Sequence, residues 1–205
     1  MRRRQWDTTL YRLAEGQAGY FTAAQAREAG LQQVRLAQLH RHGDIERVTR
    51  GVYRLTRYPN SPLGQYMEAA LWPQVRRPNA RGVISHESAL AIYGLSDASP
   101  AKVHLTLPTE FRIRRAVPKR LVLHYAELHP TEVRNVEGVP VTTAARAIRD
   151  AHSTHIGPAL IQQAIDDGWR RGYLTFDAAE QLEQELLGIK PGRRNHRNKS
   201  TDGVA

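Results

Sequence analysis

The run FTAAQAREAG at 21–30, LQQVRLAQLHRHGD at 31–44 and IERVTRGVYRL at 45–55 decides how this chain is read. It holds two short helical patterns hinged at a glycine, followed at once by a compact hairpin pattern. Thr22 marks the start of the first helix. Its hydroxyl can accept from the backbone N–H of Gln25 while the Gln25 side chain reaches back, which is a capping box. The helix formers Ala23 to Ala29 then run into Gly30, a residue free to take the positive φ that a helix end and tight turn require.

The second helical pattern covers 32–42. Leu36 and Leu39 fall three apart and share one face, which leaves the opposite face to Val34, Gln38 and Arg41, with Arg35 and Ala37 beside it. Glutamine and arginine can make bidentate hydrogen bonds to purine edges, and Val34 can meet a thymine methyl group. A solvated amphipathic helix would carry the same pattern, so the helix alone leaves both readings open.

The hairpin moves the balance. Gly43-Asp44 is a turn signal, Ile45, Arg47 and Thr49 alternate with Glu46, Val48 and Arg50, and Arg50-Gly51 sits where a hairpin needs a positive φ before Val52 to Leu55 return. Arg47, Arg50 and Arg54 are then on or beside the hairpin. The planar fork of arginine suits phosphate and a narrow minor groove. Two helices and an arginine-bearing hairpin in this order predict a winged helix-turn-helix that binds DNA. Trp6, Leu10, Leu13 and Ala14, at helical spacing, predict a first helix packed behind the pair.

The whole chain has 205 residues and a formal charge of +10, unevenly spread. Residues 1–57 hold 11 Lys and Arg against 5 Asp and Glu; residues 58–187 hold 14 of each; residues 188–205 hold 5 against 1. A basic module joined to a neutral one reads as a DNA-binding domain with a second function, unlike a uniformly basic polyanion binder. Arginines number 26 and lysines 4, a ratio that genome composition alone can produce, so it carries no weight here. There is no cysteine, which removes disulfides, thiol nucleophiles and cysteine-based zinc sites together. No apolar run reaches the roughly 20 residues that span a bilayer. The start Met1-Arg2-Arg3-Arg4 leads into Gln5-Trp6-Asp7 and not an apolar segment, so no secretory signal and no membrane partner are expected, and the expected location is the cytoplasm.

Tyr58-Pro59-Asn60-Ser61-Pro62 reads as a linker, giving three expected parts: a DNA-binding domain at 1–57, a mixed α/β domain at 58–187 and a disordered basic tail at 188–205. In the middle part, helices are expected at 63–71, closed by Trp72-Pro73, and at 85–93, with Ser85 as cap and Gly94 as end. Strands are expected at 103–107, 112–117 and 121–125. Val139-Pro140-Val141 should lead to a helix at 143–151 capped by Thr142, with further helices at 156–171 and 175–187. The expected fold class is α+β.

No catalytic residue, metal ligand set or cofactor is expected. His86-Glu87 lies on a presumptive helix without a second histidine at ligand spacing, which favours a structural or capping role. His124, His129, His152 and His155 are scattered without a paired carboxylate. Asp166 and Asp167 read as local partners of Arg170 and Arg171. There is no glycine-rich phosphate loop and no Gly-x-Ser-x-Gly elbow. One charged run stands apart. Arg112, Arg114, Arg115, Lys119 and Arg120 include no acid among them, and they read either as a patch for phosphate or an acidic or nucleotide-binding partner, or as an edge strand protected by charge.

Taken in order, four blocks resemble the AbiEi family. They are the run from Gly30 through Arg50-Gly51-Val52-Tyr53; Ile84 to Leu90 with Gly94-Leu95; Val103-His104-Leu105-Thr106-Leu107-Pro108; and Gly138 to Arg146. These proteins are antitoxins of type IV toxin-antitoxin systems. The resemblance covers about residues 8–187 and implies an N-terminal winged helix that represses its own operon at inverted repeats, with a C-terminal domain that neutralises a nucleotidyltransferase-like toxin encoded beside it. Carried over by position, Gln33, Arg35, Gln38 and Arg41 on the helix and Arg47 and Arg50 on the hairpin face DNA. Some relatives continue into a nuclease-like domain where this chain enters its basic tail, which argues against nuclease activity.

The leading expectation is thus a two-domain antitoxin and autorepressor, with operator DNA and a toxin as partners. The alternative is a winged-helix regulator whose second domain senses a ligand or dimerises; an enzyme related to the nuclease-bearing proteins is a third reading. Inverted repeats can be filled by a dimer or by two cooperating monomers, so the oligomeric state stays open.

Overall fold

The computed structural model describes residues 2–75, 80–113 and 116–190, without the side chains of residues 2–7. In chain order the elements are α1 (Arg2–Glu15), β1 (Tyr20–Thr22), α2 (Ala23–Glu28), α3 (Gln33–Arg41), β2 (Ile45–Thr49), β3 (Val52–Leu55), α4 (Gly64–Leu71), β4 (Val83–Ile84), α5 (His86–Tyr93), β5 (Val103–Leu107), β6 (Leu121–Tyr125), β7 (Val133–Val136), β8 (Val139–Thr142), α6 (Ala144–Ser153), α7 (Pro158–Arg170) and α8 (Phe176–Leu187). The fold is mixed α+β, with two sheets ordered β1-β3-β2 and β6-β5-β4-β8-β7. The chain divides into two compact units, residues 1–84 with 102–141 and residues 85–101 with 142–205.

In the first unit, the small sheet and the first three helices close on one apolar cluster. Leu10 and Ala14 of α1, Phe21 of β1, Ala26 of α2, Leu31, Leu36 and Leu39 of α3 and its approach, and Ile45 of β2 are all buried in it. Leu10, Leu13 and Ala14 behave as their spacing suggested; the side chain of Trp6 lies outside the described residues. The capping box is present: the Gln25 N–H donates to the Thr22 hydroxyl at 3.1 Å and the Thr22 N–H to Gln25 Oε1 at 2.8 Å. Such a cap contributes about 1 kcal/mol. Gly30 takes φ +83° and the chain re-enters a helix at Gln33.

Strand β1 was not expected. It has three residues, too few to show a period, and it exists because β3 supplies its partners, Tyr20 opposite Arg54 and Thr22 opposite Val52. Residues 58–62 lie inside the first unit, where Tyr58 packs so closely on Gly19 that a Cβ there would approach the ring to 2.6 Å.

The larger sheet of this unit is mixed. β5 pairs parallel to β6 over five residues, β4 pairs antiparallel to β5, and β4 pairs parallel to β8. The expected strands at 103–107 and 121–125 are found. The expected strand at 112–117 is not: a 3-10 turn at Thr109–Phe111 follows Pro108, and the described residues 112, 113, 116 and 117 join no ladder. Proline at both 108 and 118 removes the N–H groups a ladder would use there. Arg114, Arg115 and the tail at 191–205 lie outside the described residues.

The second unit holds α5 to α8. Gly94 ends α5 and Gly188 ends α8, both left-handed, as helix stops of this kind require. Two caps differ from expectation. Thr143, one residue later than read, caps α6 by accepting from the Arg146 N–H, because Thr142 is still the last residue of β8. Ser85 precedes α5 but makes no side-chain cap; its hydroxyl meets His86 Nδ1 at 2.9 Å.

Candidate nucleic-acid interface

Helix α3 is held by its inner face. Leu36 and Leu39 are sunk in the core of the first unit, and the 3.6-residue repeat therefore turns Val34, Ala37 and Arg41 outward. Val34 is 67% exposed, an apolar side chain turned mostly to the surface. Gln33 is exposed at the start of the helix, and Arg35 and Gln38 are half-buried at its flank. These two are joined, Arg35 Nη1 donating to Gln38 Oε1 at 3.3 Å. Arg41 lies back along the helix, its Nε donating to the Ala37 carbonyl at 3.5 Å.

The β2-β3 hairpin stands next to that face. Ile45 is buried and pins the start of β2, while Arg47 is exposed. The register shifts between Arg47 and Thr49, and Val48 there is partly exposed. Gly51 takes φ +82° at the turn. The tip does not stand clear: the Gly51 carbonyl accepts from the Ala23 N–H at 3.0 Å, and a Cβ at Gly51 would fall 2.5 Å from Val75 Cγ1. The tip is therefore seated on the start of α2, with Arg50 beside it and exposed.

Between α2, α3 and β2 lies a concavity of about 460 Å³ lined among others by Arg27, Gln33, Ala37, His40, Arg41 and Arg47. Three arginines from three elements thus border one hollow. Arg27 was not among the residues singled out from the sequence. Its signal was present, since it is the basic residue of the last turn of α2, but α2 carries no patterned outer face to draw attention to it.

Arg54 corrects the sequence reading. It is 8% exposed and faces into the first unit, where Nη1 pairs with Glu46 Oε1 at 2.9 Å and Nη2 donates to the Tyr58 carbonyl at 2.7 Å. Its guanidinium also lies 6.0 Å from the centre of the Tyr20 ring. Strand alternation explains the change, because Val52 and Arg54 share the inner side of β3.

The second basic run is only partly described. Arg112 is exposed and lies 5.7 Å over the Tyr125 ring, and Lys119 is exposed. Arg120 is engaged within the unit, with both guanidinium nitrogens donating to the buried carboxylate of Glu68. Those hydrogen bonds push its pKa further up.

Among the histidines, His124 is not isolated. It lies diagonally across the β5-β6 ladder from His104, with rings stacked 5.2 Å apart and His104 Nδ1 3.1 Å from His124 Nε2. Parallel pairing of β5 and β6, with a register offset of 18 residues, brings them together, which no local spacing could reveal. In the second unit, Asp167 pairs with Arg170 at 3.3 Å, but Arg171 turns to the Tyr93 carbonyl. No helix among the described residues is long and apolar enough to cross a membrane.

The family comparison falls on this same region. Residues 9–56 match the family described as transcriptional regulator, AbiEi antitoxin. A stretch of 78 residues is 37% identical to deoxyguanosinetriphosphate triphosphohydrolase-like proteins of Rhizobium leguminosarum bv. trifolii and Rhizobium etli; it makes up 38% of this chain. The chain spans 17% of the length of these relatives. Among solved structures, the RV2827C protein from Mycobacterium tuberculosis aligns over 88% of this chain and 71% of its own, at a TM-score of 0.49 and 16% identity. From the middle of α1 through the end of the hairpin, residues 9–56, the match to the AbiEi antitoxin regulators bears out the resemblance read from the sequence.

Proposed function

We propose that residues 1–57 act as a winged helix-turn-helix, with α3 entering the major groove and the β2-β3 hairpin lying against the backbone as the wing. Gln33, Val34, Arg35, Gln38 and Arg41 meet base edges or flanking phosphates, and Arg47 and Arg50 meet phosphates, with Arg27 added to that set. The observation that carries the reading is the exposed outer face of α3 beside a hairpin and hollow bordered by Arg27, Arg41 and Arg47, on the segment that matches the AbiEi regulators.

In this reading the chain represses its own operon at inverted repeats in the cytoplasm. Residues 58–187 neutralise a nucleotidyltransferase-like toxin encoded beside it, and no step requires catalysis by this chain. Arg112 and Lys119 are then the described residues of the second basic run available to an acidic partner. The hydrolase activity named for the Rhizobium relatives belongs to proteins that share only a short stretch with this one, and it is not carried over.

Co-expression with the neighbouring gene tests the antitoxin half: growth is restored if the reading is right, and continued growth arrest beside a soluble, folded chain removes it. A small molecule that changes operator affinity would favour a ligand-sensing regulator instead.

A further inference from the structure

We propose that His104 and His124 form a two-histidine site for a late first-row divalent metal ion such as Zn²⁺, which clips β6 to β5. The proposal stands on the larger sheet of the first unit and does not depend on the DNA-binding reading. In the parallel ladder His104 lies opposite Val122, and His124 lies opposite Thr106. Alternate residues of a strand share a face, so the two imidazoles stand diagonally on one side of the sheet. Both are half-buried, which leaves room for solvent to supply the remaining ligands.

The spacing of the nitrogens suits one ion. His104 Nδ1 and His124 Nε2 are 3.1 Å apart. Two nitrogens bound to one ion at about 2.0–2.1 Å stand about 2.9 Å apart at a right angle and about 3.4 Å apart at the tetrahedral angle. The outer torsion of histidine has a broad minimum, so a small rotation of the rings converges both lone pairs on one point. Without an ion, one of the two nitrogens carries the proton of their shared hydrogen bond. For both to ligate, that proton moves to the other nitrogen of its own ring, and each imidazole stays neutral, the form in which histidine binds metals. Imidazole selects ions of the zinc kind, whereas magnesium and calcium prefer oxygen ligands. Strand β6 lies at the edge of its sheet with β5 beside it, and the connection between them carries the exposed Arg112 and Lys119. A shared ion ties together the two strands that this basic connection leaves and rejoins.

The test is calorimetric titration of the full chain, purified without a histidine tag, with Zn²⁺ and with Mg²⁺ and Ca²⁺ as controls. Zn²⁺ should bind, and the thermal unfolding midpoint should rise with its free concentration, as binding to the folded state requires. Neither control ion should do so. His104→Asn and His124→Gln keep a polar group near the position of the ligating nitrogen but replace imidazole by an amide. Each should weaken Zn²⁺ binding by about 10-fold or more. His152→Ala removes an exposed histidine of the second unit and should leave binding unchanged. If the paired variants do not fold, the imidazole resonances of His104 and His124 in the wild type give the same reading, since both should shift together as Zn²⁺ is added. No Zn²⁺ binding, binding that either variant leaves at wild-type strength, or imidazole resonances that do not move overturns the proposal.

Discussion

Arg50 and Arg54 sit four residues apart on one hairpin and have opposite surroundings. Arg50 is exposed at the turn, while Arg54 is inside, shared between Glu46 and the Tyr58 carbonyl. Arg54→Met should lower stability by about 1.5–3 kcal/mol, the range for hydrogen bonds to a charged group, measured by urea unfolding, with the DNA affinity of the folded protein unchanged. Arg50→Ala should do the reverse. Stability should hold, affinity should fall for every sequence, and the slope of log affinity against log salt should flatten by about 0.9, the contribution of one phosphate contact. Nothing in the local sequence separates these two arginines. The hairpin pattern placed both near the same surface, and only strand register shows that Arg54 follows Val52 inward while Arg50 belongs to the turn.

At the scale of elements, what was legible is what local physics decides. Thr22 and Gln25 form their capping box because a stretch of four residues suffices to define it, and Gly30 stops α2 because few other residues tolerate φ +83°. Thr22→Ala should cost about 1 kcal/mol, seen as a lower unfolding midpoint at unchanged denaturant slope; no change in midpoint would mean that α2 is fixed by packing alone. What was not legible depends on partners distant in the chain. β1 exists through β3, His104 meets His124 through a parallel ladder, and residues 112 and 113 form no strand although their alternation resembled one. Arg27 belongs to the hollow beside α3 only once α2 and β2 are placed around it. The expected face of α3 was readable from spacing alone, since a helix presents its outer residues whatever surrounds it.

Across the whole molecule, the proposed function places DNA contact in residues 1–57, where the basic excess lies, and toxin neutralisation in residues 58–187, whose charge is balanced. If the tasks are separate, a chain carrying Arg41→Ala and Arg50→Ala should lose repression of its own promoter in a reporter assay and still restore growth in cells expressing the neighbouring toxin. Loss of both would mean that neutralisation acts through repression. The account as a whole depends on the first of these tasks. Its most direct test is fluorescence anisotropy of the purified full chain with the duplex upstream of its own gene and with a shuffled duplex of the same length, across a range of salt. The account predicts tighter binding to the upstream duplex, and a log–log salt slope that Arg50→Ala reduces by about 0.9. Equal affinity for the two duplexes, or a slope that Arg50→Ala leaves unchanged, would contradict it.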